Sequence, residues 1–160
     1  MTTLSVGLSL LSFCIVFLRA NSQNCVEGWQ YHEGSCYSFG NSPTTWGEAQ
    51  AICQAYNGTL AEVETFAENQ FLKNIARAKQ AQVTYLGGTD MFAEGVWQWP
   101  STGRKFSFVD WTAGDPDNYG GAQHCLVFHR DYNYQWDDDY CNRIGNFICE
   151  VIPSQRVVVG

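Results

Sequence analysis

The chain contains 160 residues, which is the length of a single domain, and carries a formal net charge of −7. Because sixteen acidic residues outnumber nine basic ones and the basic residues do not cluster, nucleic acids and anionic membrane surfaces are poor partners. The sequence lacks the Gly-x-Ser-x-Gly and His-Glu-x-x-His motifs of common hydrolases, so we expect a protein that is not an enzyme.

Residues 1–22 are predicted to be a secretory signal peptide. The run from Leu4 to Leu18 is almost wholly apolar or small but is short for a bilayer span, and Ala20 and Ser22 fit the small-x-small cleavage pattern. A retained membrane anchor is the alternative. No other stretch is long and apolar enough to cross a membrane, so we expect a secreted, extracellular protein without membrane insertion.

Six of the seven cysteines follow the predicted signal peptide: Cys25, Cys36, Cys53, Cys125, Cys141 and Cys149. An even number in a small secreted chain predicts three disulfides, although the sequence alone allows fifteen pairings and leaves no cysteine as a nucleophile. A zinc site is the alternative use of these cysteines. It is disfavoured because no pair has the Cys-x-x-Cys spacing and the three histidines are not spaced as ligand pairs.

The first half of the chain predicts a hairpin followed by two helices. Aromatic and polar residues alternate over residues 25–39, as in a small β-hairpin. Residues 45–48 and 65–68 both have the Thr-x-x-Glu pattern of a capping box, and apolar residues follow each at helical spacing.

The second half predicts short strands and one long loop. Strands are indicated at residues 83–88, 95–99, 126–128 and 146–150. Two helices followed by short strands indicate an α+β domain, and residues 153–160 form a C-terminal tail without a readable pattern. The connection over residues 99–123 is long for a small domain, and loops of that length are usually functional.

Residues 110–141 hold seven of the sixteen acidic residues and one Arg. Carboxylates and amides concentrate at residues 115–118 (Asp-Pro-Asp-Asn) and 136–139 (Trp-Asp-Asp-Asp). Carboxylates brought close together usually need a cation, and an all-oxygen ligand set suits Ca²⁺. The alternative is an ordinary solvated loop, because Asp, Asn, Gly and Pro are also turn formers.

Together these features resemble the C-type lectin domain family over nearly all of residues 25–150. The shared motifs are Tyr85-Leu86-Gly87-Gly88, Trp97-x-Trp99, Trp111-x-x-Gly114-x-Pro116-Asp117-Asn118, and Trp136-x-Asp138-x-x-Cys141. Residues 120–126 (Gly-Gly-Ala-Gln-His-Cys-Leu) and 146–150 (Asn-Phe-Ile-Cys-Glu) resemble secreted single-domain molluscan lectins of the perlucin kind.

The resemblance implies an α+β, C-type lectin-like fold over residues 23–152. Its expected parts are two helices, two small antiparallel sheets and a long calcium-binding loop. The disulfides it implies are Cys25–Cys36, Cys53–Cys149 and Cys125–Cys141.

The resemblance also implies a Ca²⁺ cofactor and five oxygen ligands: Asp115, Asp117, Gln123, Asp137 and Asp138. A cis peptide bond before Pro116 is expected between the first two. The chain departs from the family pattern at Asp115 (usually Glu or Gln), Gln123 (usually Glu) and Asp137 (usually Asn). Four carboxylates remain, so we expect calcium binding to persist.

Sugar binding at this ion is implied as well, through two vicinal hydroxyls. The residues expected to contact the sugar are Asp115, Asp117, Gln123, Asp137, Tyr119 and Tyr134. Galactose-binding members of the family have an acceptor within the triplet that corresponds to residues 115–117, and Asp117 with a possible donor at Gln123 has the same order. The resemblance therefore implies galactose or N-acetylgalactosamine rather than mannose-type sugars.

Two hypotheses follow for the function. The first is a secreted calcium-dependent lectin that recognises glycans on cell or microbial surfaces in innate immunity, with a non-covalent homodimer at most. The second is an extracellular matrix- or mineral-associated, or protein-binding, module that has lost sugar binding. Paired carboxylates could serve a glycosidase, but here they are assigned to a metal, which again argues against an enzyme.

Overall fold

The structure is a computed structural model that describes residues 25–153. The predicted signal peptide (1–22) and all but the first residue of the predicted tail (153–160) lie outside the described residues. Within the described range, none of the helices combines the length and apolar character needed to cross a membrane.

Both predicted helices form: α1 is Trp46–Ala55 and α2 is Phe66–Ala78. The complete capping box of α1 joins Thr45 and Glu48, each of which accepts a hydrogen bond from the other's backbone N–H. At α2 the box is only half formed. Thr65 accepts from the Glu68 N–H, but the Glu68 carboxylate accepts from the Glu64 N–H at 2.8 Å, one residue earlier than the pattern predicts.

Nine strands connect in one sheet network, which confirms the predicted α+β class. In chain order they are β1 Gln30–His32, β2 Ser35–Thr44, β3 Thr59–Leu60, β4 Val83–Thr89, β5 Gln98–Trp99, β6 Arg104–Lys105, β7 Gln123–His129, β8 Gln135–Tyr140 and β9 Gly145–Val151. All pairs are antiparallel except β4–β9, which is parallel. This pair joins the two small sheets that the family resemblance implies into one network, so they are not separate.

The three disulfides pair as the resemblance implies. Cys25–Cys36 closes the N-terminal hairpin, and Cys53–Cys149 ties α1 to β9. Cys125–Cys141 ties β7 to the residue after β8. The Cys125–Cys141 bridge therefore joins β7 to the end of β8, the two strands that lie within the acidic segment of residues 110–141.

A cluster of aromatic rings forms the core beneath the long loop. Trp99 and Trp136 are fully buried. Phe106 packs on Trp99 with ring centres 4.2 Å apart, and Trp111 meets Trp136 edge-on at 5.5 Å. Because the loop contributes Phe106 and Trp111 to this cluster, its backbone is held against β8 rather than free in solvent.

A buried polar network anchors the start of the acidic segment to α2. The Asn69 amide accepts from Trp136 Nε1 at 2.9 Å and donates to Asp110 at 2.6 Å. The Lys73 ammonium lies 2.7 Å from the same Asp110 carboxylate. Charge-assisted hydrogen bonds thus fix the position of Asp110. Because Asp110 is fixed, the start of the segment that leads to Asp115 is fixed as well.

Candidate metal centre

Three carboxylates from two parts of the acidic segment meet beside β8, the strand that carries Asp138. One oxygen from each of Asp115, Asp117 and Asp138 lies within 4.8 Å of the others. Asp138 is only 1% exposed, whereas Asp117 is on the surface. The Asp115–Pro116 peptide bond is cis, as expected.

Asp138 holds the loop in place through both of its carboxylate oxygens. Oδ1 accepts from the Asp117 N–H at 3.0 Å, and Oδ2 accepts from the Asn118 N–H at 2.7 Å. Asp117 Oδ1 in turn accepts from the Tyr119 N–H at 2.9 Å. These backbone contacts orient the loop carboxylates toward the strand, so the group is formed by the fold itself.

Asp137 joins the group through a side-chain hydrogen bond with Asp115. Burial raises the pKa of Asp137 to about 8, and the hydrogen bond to Asp115 and the negative charges of Asp115, Asp139 and Asp138 add to the shift. Burial also raises the pKa of Asp115, while the hydrogen bond from the protonated Asp137 carboxyl opposes that shift. Burial and crowded negative charge thus both favour the protonated form of Asp137.

Burial raises the pKa of Asp138 as well, although the backbone N–H groups that it accepts oppose the shift. We call Asp115, Asp117, Asp137 and Asp138 the aspartate site. All its ligand atoms are oxygens, the donor set that Ca²⁺ prefers. The residues present therefore fit the ion that the family resemblance implies.

Gln123 reaches the edge of the aspartate site through its backbone. It opens β7, pairs with Tyr140 of β8, and donates its N–H to Asn118 Oδ1 at 2.9 Å. The structure thus groups three predicted ligands directly. Asp137 is connected through Asp115, and Gln123 through Asn118.

The two tyrosines predicted to contact sugar differ in position. Tyr119 is 72% exposed on a 3₁₀ turn directly after Asn118, where its ring is accessible. Tyr134 is 5% exposed and packs in the core, with the Arg77 guanidinium 5.3 Å from its ring centre. The prediction for Tyr134 is wrong because a tight turn with positive φ at residues 133 and 134 directs this ring inward.

A second set of potential ligands was missed by sequence reasoning. One ligand atom each from Asp90, Glu94 and His124 lies within 4.8 Å of the others; we call these three residues the His124 group. Asp90 and Glu94 lie in the loop after β4, whereas His124 is in β7. The sequence gives little indication of this group. Its members lie about thirty residues apart in the chain and come together only when β4 pairs with β7.

A third acidic region lines a cleft of about 470 Å³ built from other elements. Five glutamates line this cleft, and we call four of them the glutamate cleft: Glu62, Glu64, Glu68 and Glu150. Glu150 accepts from Ser35 at 2.7 Å and from the Glu62 N–H at 3.1 Å. The glutamate cleft therefore satisfies its carboxylates with donors from the chain.

Comparison with known proteins identifies the family. The family model described as "Lectin C-type domain" matches residues 42–151. Perlucin from Haliotis laevigata is 35% identical over 128 residues, which cover 79% of this chain and 82% of perlucin. The galactose-specific lectin nattectin from Thalassophryne nattereri is 29% identical over 136 residues, which cover 82% of each protein.

Solved structures agree with the sequence matches. The C-type lectin CEL-I from Cucumaria echinata has a TM-score of 0.75 and 26% identity, over 81% of this chain and 99% of that chain. The matched region includes both helices, the aspartate site and the His124 group. On the family match and the identity with perlucin, this chain belongs to the C-type lectin domain family.

Proposed function

We propose that this protein is a secreted lectin that binds carbohydrate through a calcium ion held by Asp115, Asp117, Gln123, Asp137 and Asp138. The observation that carries the proposal is the convergence of the Asp115, Asp117 and Asp138 carboxylates within 4.8 Å. Calcium takes six to eight oxygen ligands, so these side chains leave coordination positions for two sugar hydroxyls. When bound, the ion supplies Lewis-acid attraction for those hydroxyls.

Crowded charge supports a divalent cation at this place. Burial and neighbouring carboxylates raise the pKa of Asp137 to about 8, which means that negative charge at this residue is disfavoured in the site without a cation. A divalent ion would neutralise more of the negative charge than one proton does. Ligands that are already oriented by backbone hydrogen bonds lose little freedom on binding, which favours affinity.

The order of hydrogen-bond donors and acceptors supports galactose or N-acetylgalactosamine over mannose-type sugars. Asp117 can only accept when ionised, whereas the Gln123 amide can donate. Nattectin, a relative with 29% identity, is described as galactose-specific. The exposed ring of Tyr119 is available to pack on the apolar face of a sugar.

The proposed biological role is recognition of glycans on cell or microbial surfaces in innate immunity. The proposal includes removal of residues 1–22 on secretion, a lectin domain over residues 23–152 and no enzymatic activity. We expect at most a non-covalent homodimer, which analytical ultracentrifugation would detect. Because a single sugar site binds weakly, dimerisation would raise the apparent affinity for a clustered glycan.

The test is retention of the disulfide-bonded domain on galactose and mannose columns in calcium, followed by elution with EDTA. Retention on galactose that EDTA abolishes is expected. The double variant Asp117→Asn/Gln123→Glu exchanges acceptor and donor and should shift retention toward mannose. Glu64→Gln makes a similar charge change in the glutamate cleft and should leave retention unaltered.

The second candidate is a matrix- or mineral-associated, or protein-binding, module. The observation that favours it is that Asp115 and Asp137 can both act as acceptors, an arrangement that departs from either sugar-binding pattern of the family. If neither column retains the protein while calorimetry detects calcium binding, the lectin proposal fails and this second function takes its place. Retention on either column in calcium contradicts it.

A further inference from the structure

We propose that Asn57 carries an N-linked glycan. Residues 57–59 read Asn-Gly-Thr, which is an acceptor sequence for N-glycosylation. No other Asn in the 160 residues is followed two positions later by Ser or Thr. The modification is made in the secretory pathway, so this inference rests on the secretion that the proposed function includes.

Asn57 lies in the exposed turn that connects α1 to β3. Its backbone N–H donates to the Gln54 carbonyl at 2.9 Å, and its φ is 58°. Asn adopts this left-handed conformation more readily than most residues do. Because the backbone holds the turn, the exposed side-chain amide is available as the acceptor.

The two residues after Asn57 hold the inner side of the turn against β9. The Gly58 N–H donates to the Cys53 carbonyl at 3.0 Å, and a Cβ at Gly58 would collide with the Glu150 carbonyl oxygen. Thr59 begins β3 and pairs with Glu150. Residues 58 and 59 therefore make the close approach to the sheet, while the Asn57 side chain is on the solvent side.

The surface around Asn57 suits the first sugars of a glycan. The preceding ring, that of Tyr56, is 58% exposed and meets Trp29 edge-on at 5.6 Å. Asn57 also lines the cleft of about 470 Å³ that contains the glutamate cleft, whose carboxylates accept hydrogen bonds. A sugar has an apolar face that packs on aromatic rings and hydroxyls that donate to carboxylates. An attached glycan would therefore find partners on both sides of Asn57.

The elements around Asn57 are not those that build the aspartate site. The cleft beside Asn57 is lined by residues within the ranges 33–37, 57–68, 101–104 and 150–152. The aspartate site is formed by residues 115, 117, 137 and 138. A glycan at Asn57 thus adds bulk to a part of the domain that does not form the proposed sugar site.

The test is expression of the full chain in cultured mammalian cells and mass measurement of the secreted, disulfide-bonded protein. The mass should exceed that of the polypeptide by one glycan, which peptide N-glycosidase should remove. Asn57→Asp tolerates the left-handed backbone and should abolish the excess mass. Thr59→Val retains the shape of the strand residue without its hydroxyl and should do the same. Thr59→Ser is the matched control: it keeps the hydroxyl and should keep the glycan.

Secreted protein with the mass of the bare polypeptide overturns the proposal. So does an excess mass that persists in both Asn57→Asp and Thr59→Val. If residues 1–22 do not deliver the chain to the medium, the proposed secretion fails, and a host leader in their place tests Asn57 independently. Retention on the galactose column should be the same for Asn57→Asp and the unaltered protein, so a failure of sugar binding is distinguished from absence of the glycan.

Discussion

The aspartate site and the glutamate cleft are both rich in acid, but they compensate their charge differently. In the glutamate cleft, Tyr37 donates to Glu68 at 2.5 Å, and Arg104 lies 2.7 Å from Glu64. In the aspartate site, Asp115 and Asp137 face each other, and among residues 25–153 no Lys, Arg or His lies within ion-pair distance of its four carboxylates.

This difference separates an acidic surface from a cation site. Carboxylates that are paired with side-chain hydroxyls or a guanidinium are parts of the structure, and an added cation would have to compete with those side chains. In the aspartate site, burial and the facing Asp115 carboxyl instead raise the pKa of Asp137. The number of acidic residues in a region is therefore a weaker guide to metal binding than the partners of each carboxylate.

The largest contrast is expected for calcium affinity. We predict that Asp138→Asn lowers calcium affinity more than about 100-fold, since even outer-shell partners of metal ligands are worth about 10- to 100-fold. Calorimetry would measure this effect, with Glu64→Gln as the matched control that leaves affinity unaltered. Equal affinity in both variants would contradict the distinction between the two acidic regions.

A smaller effect, on stability alone, is expected in the glutamate cleft. Tyr37 is 2% exposed and donates to a carboxylate, so Tyr37→Phe should lower the free energy of unfolding by about 2 kcal/mol. Calcium affinity should stay the same. Urea unfolding in EDTA would measure the loss, and a calcium affinity that falls with it would show that the two regions are not independent.

The pH dependence of stability gives a third comparison. Burial raises the pKa of Glu150 above its ordinary value of 4.5, while hydrogen bonds from Ser35 and the Glu62 N–H oppose the shift. A raised pKa means that the folded state holds the proton more tightly. The associated stability is present below the ordinary pKa and is lost as pH rises through the raised value.

Glu150→Gln removes this titration and should change the pH profile. As pH rises above the ordinary pKa of 4.5 and through the raised pKa of Glu150, the unaltered protein should lose stability relative to the variant. Denaturant midpoints of the two proteins across this range are the measurement. A constant difference between them would mean that Glu150 does not titrate as its burial indicates.

The smallest effect is expected at the rim of the glutamate cleft. The Arg104 side chain is 57% exposed in its ion pair with Glu64. Arg104→Gln should therefore lower the free energy of unfolding by no more than about 0.5 kcal/mol. The loss should shrink further in high salt because exposed charges are screened. A thermal melt at two salt concentrations measures it, and a salt-independent loss of several kcal/mol would place the ion pair among the structural contacts.

Local patterns predicted much of the fold. The Thr-Glu capping signals located the starts of both helices, and the cysteine count gave three disulfides. The pairing came from the family resemblance, since spacing alone allows fifteen arrangements. The parallel pairing of β4 and β9 was not predicted because strand-forming patterns carry no information about which strands become neighbours.

The candidate site was less accessible to sequence reasoning. The density of acidic residues indicated Asp115, Asp117 and the Trp136–Asp139 segment, and the family resemblance assigned the individual ligands. Tyr134 was misplaced because its inward direction depends on positive φ at two successive residues. The His124 group was not predicted because its members come together through the pairing of β4 and β7, which local sequence patterns do not indicate.

Asn118 contacts both the aspartate site and the His124 group: its backbone N–H donates to Asp138 at 2.7 Å, and its side-chain amide donates to Glu94 at 2.7 Å. One residue therefore connects the two groups of carboxylates. If a ligand bound at one group changes the affinity of the other, reciprocity requires the same factor in the reverse direction. Substitution of Asn118 by Ala would remove the amide contact and leave the backbone contact, which isolates the share of the coupling carried by the side chain.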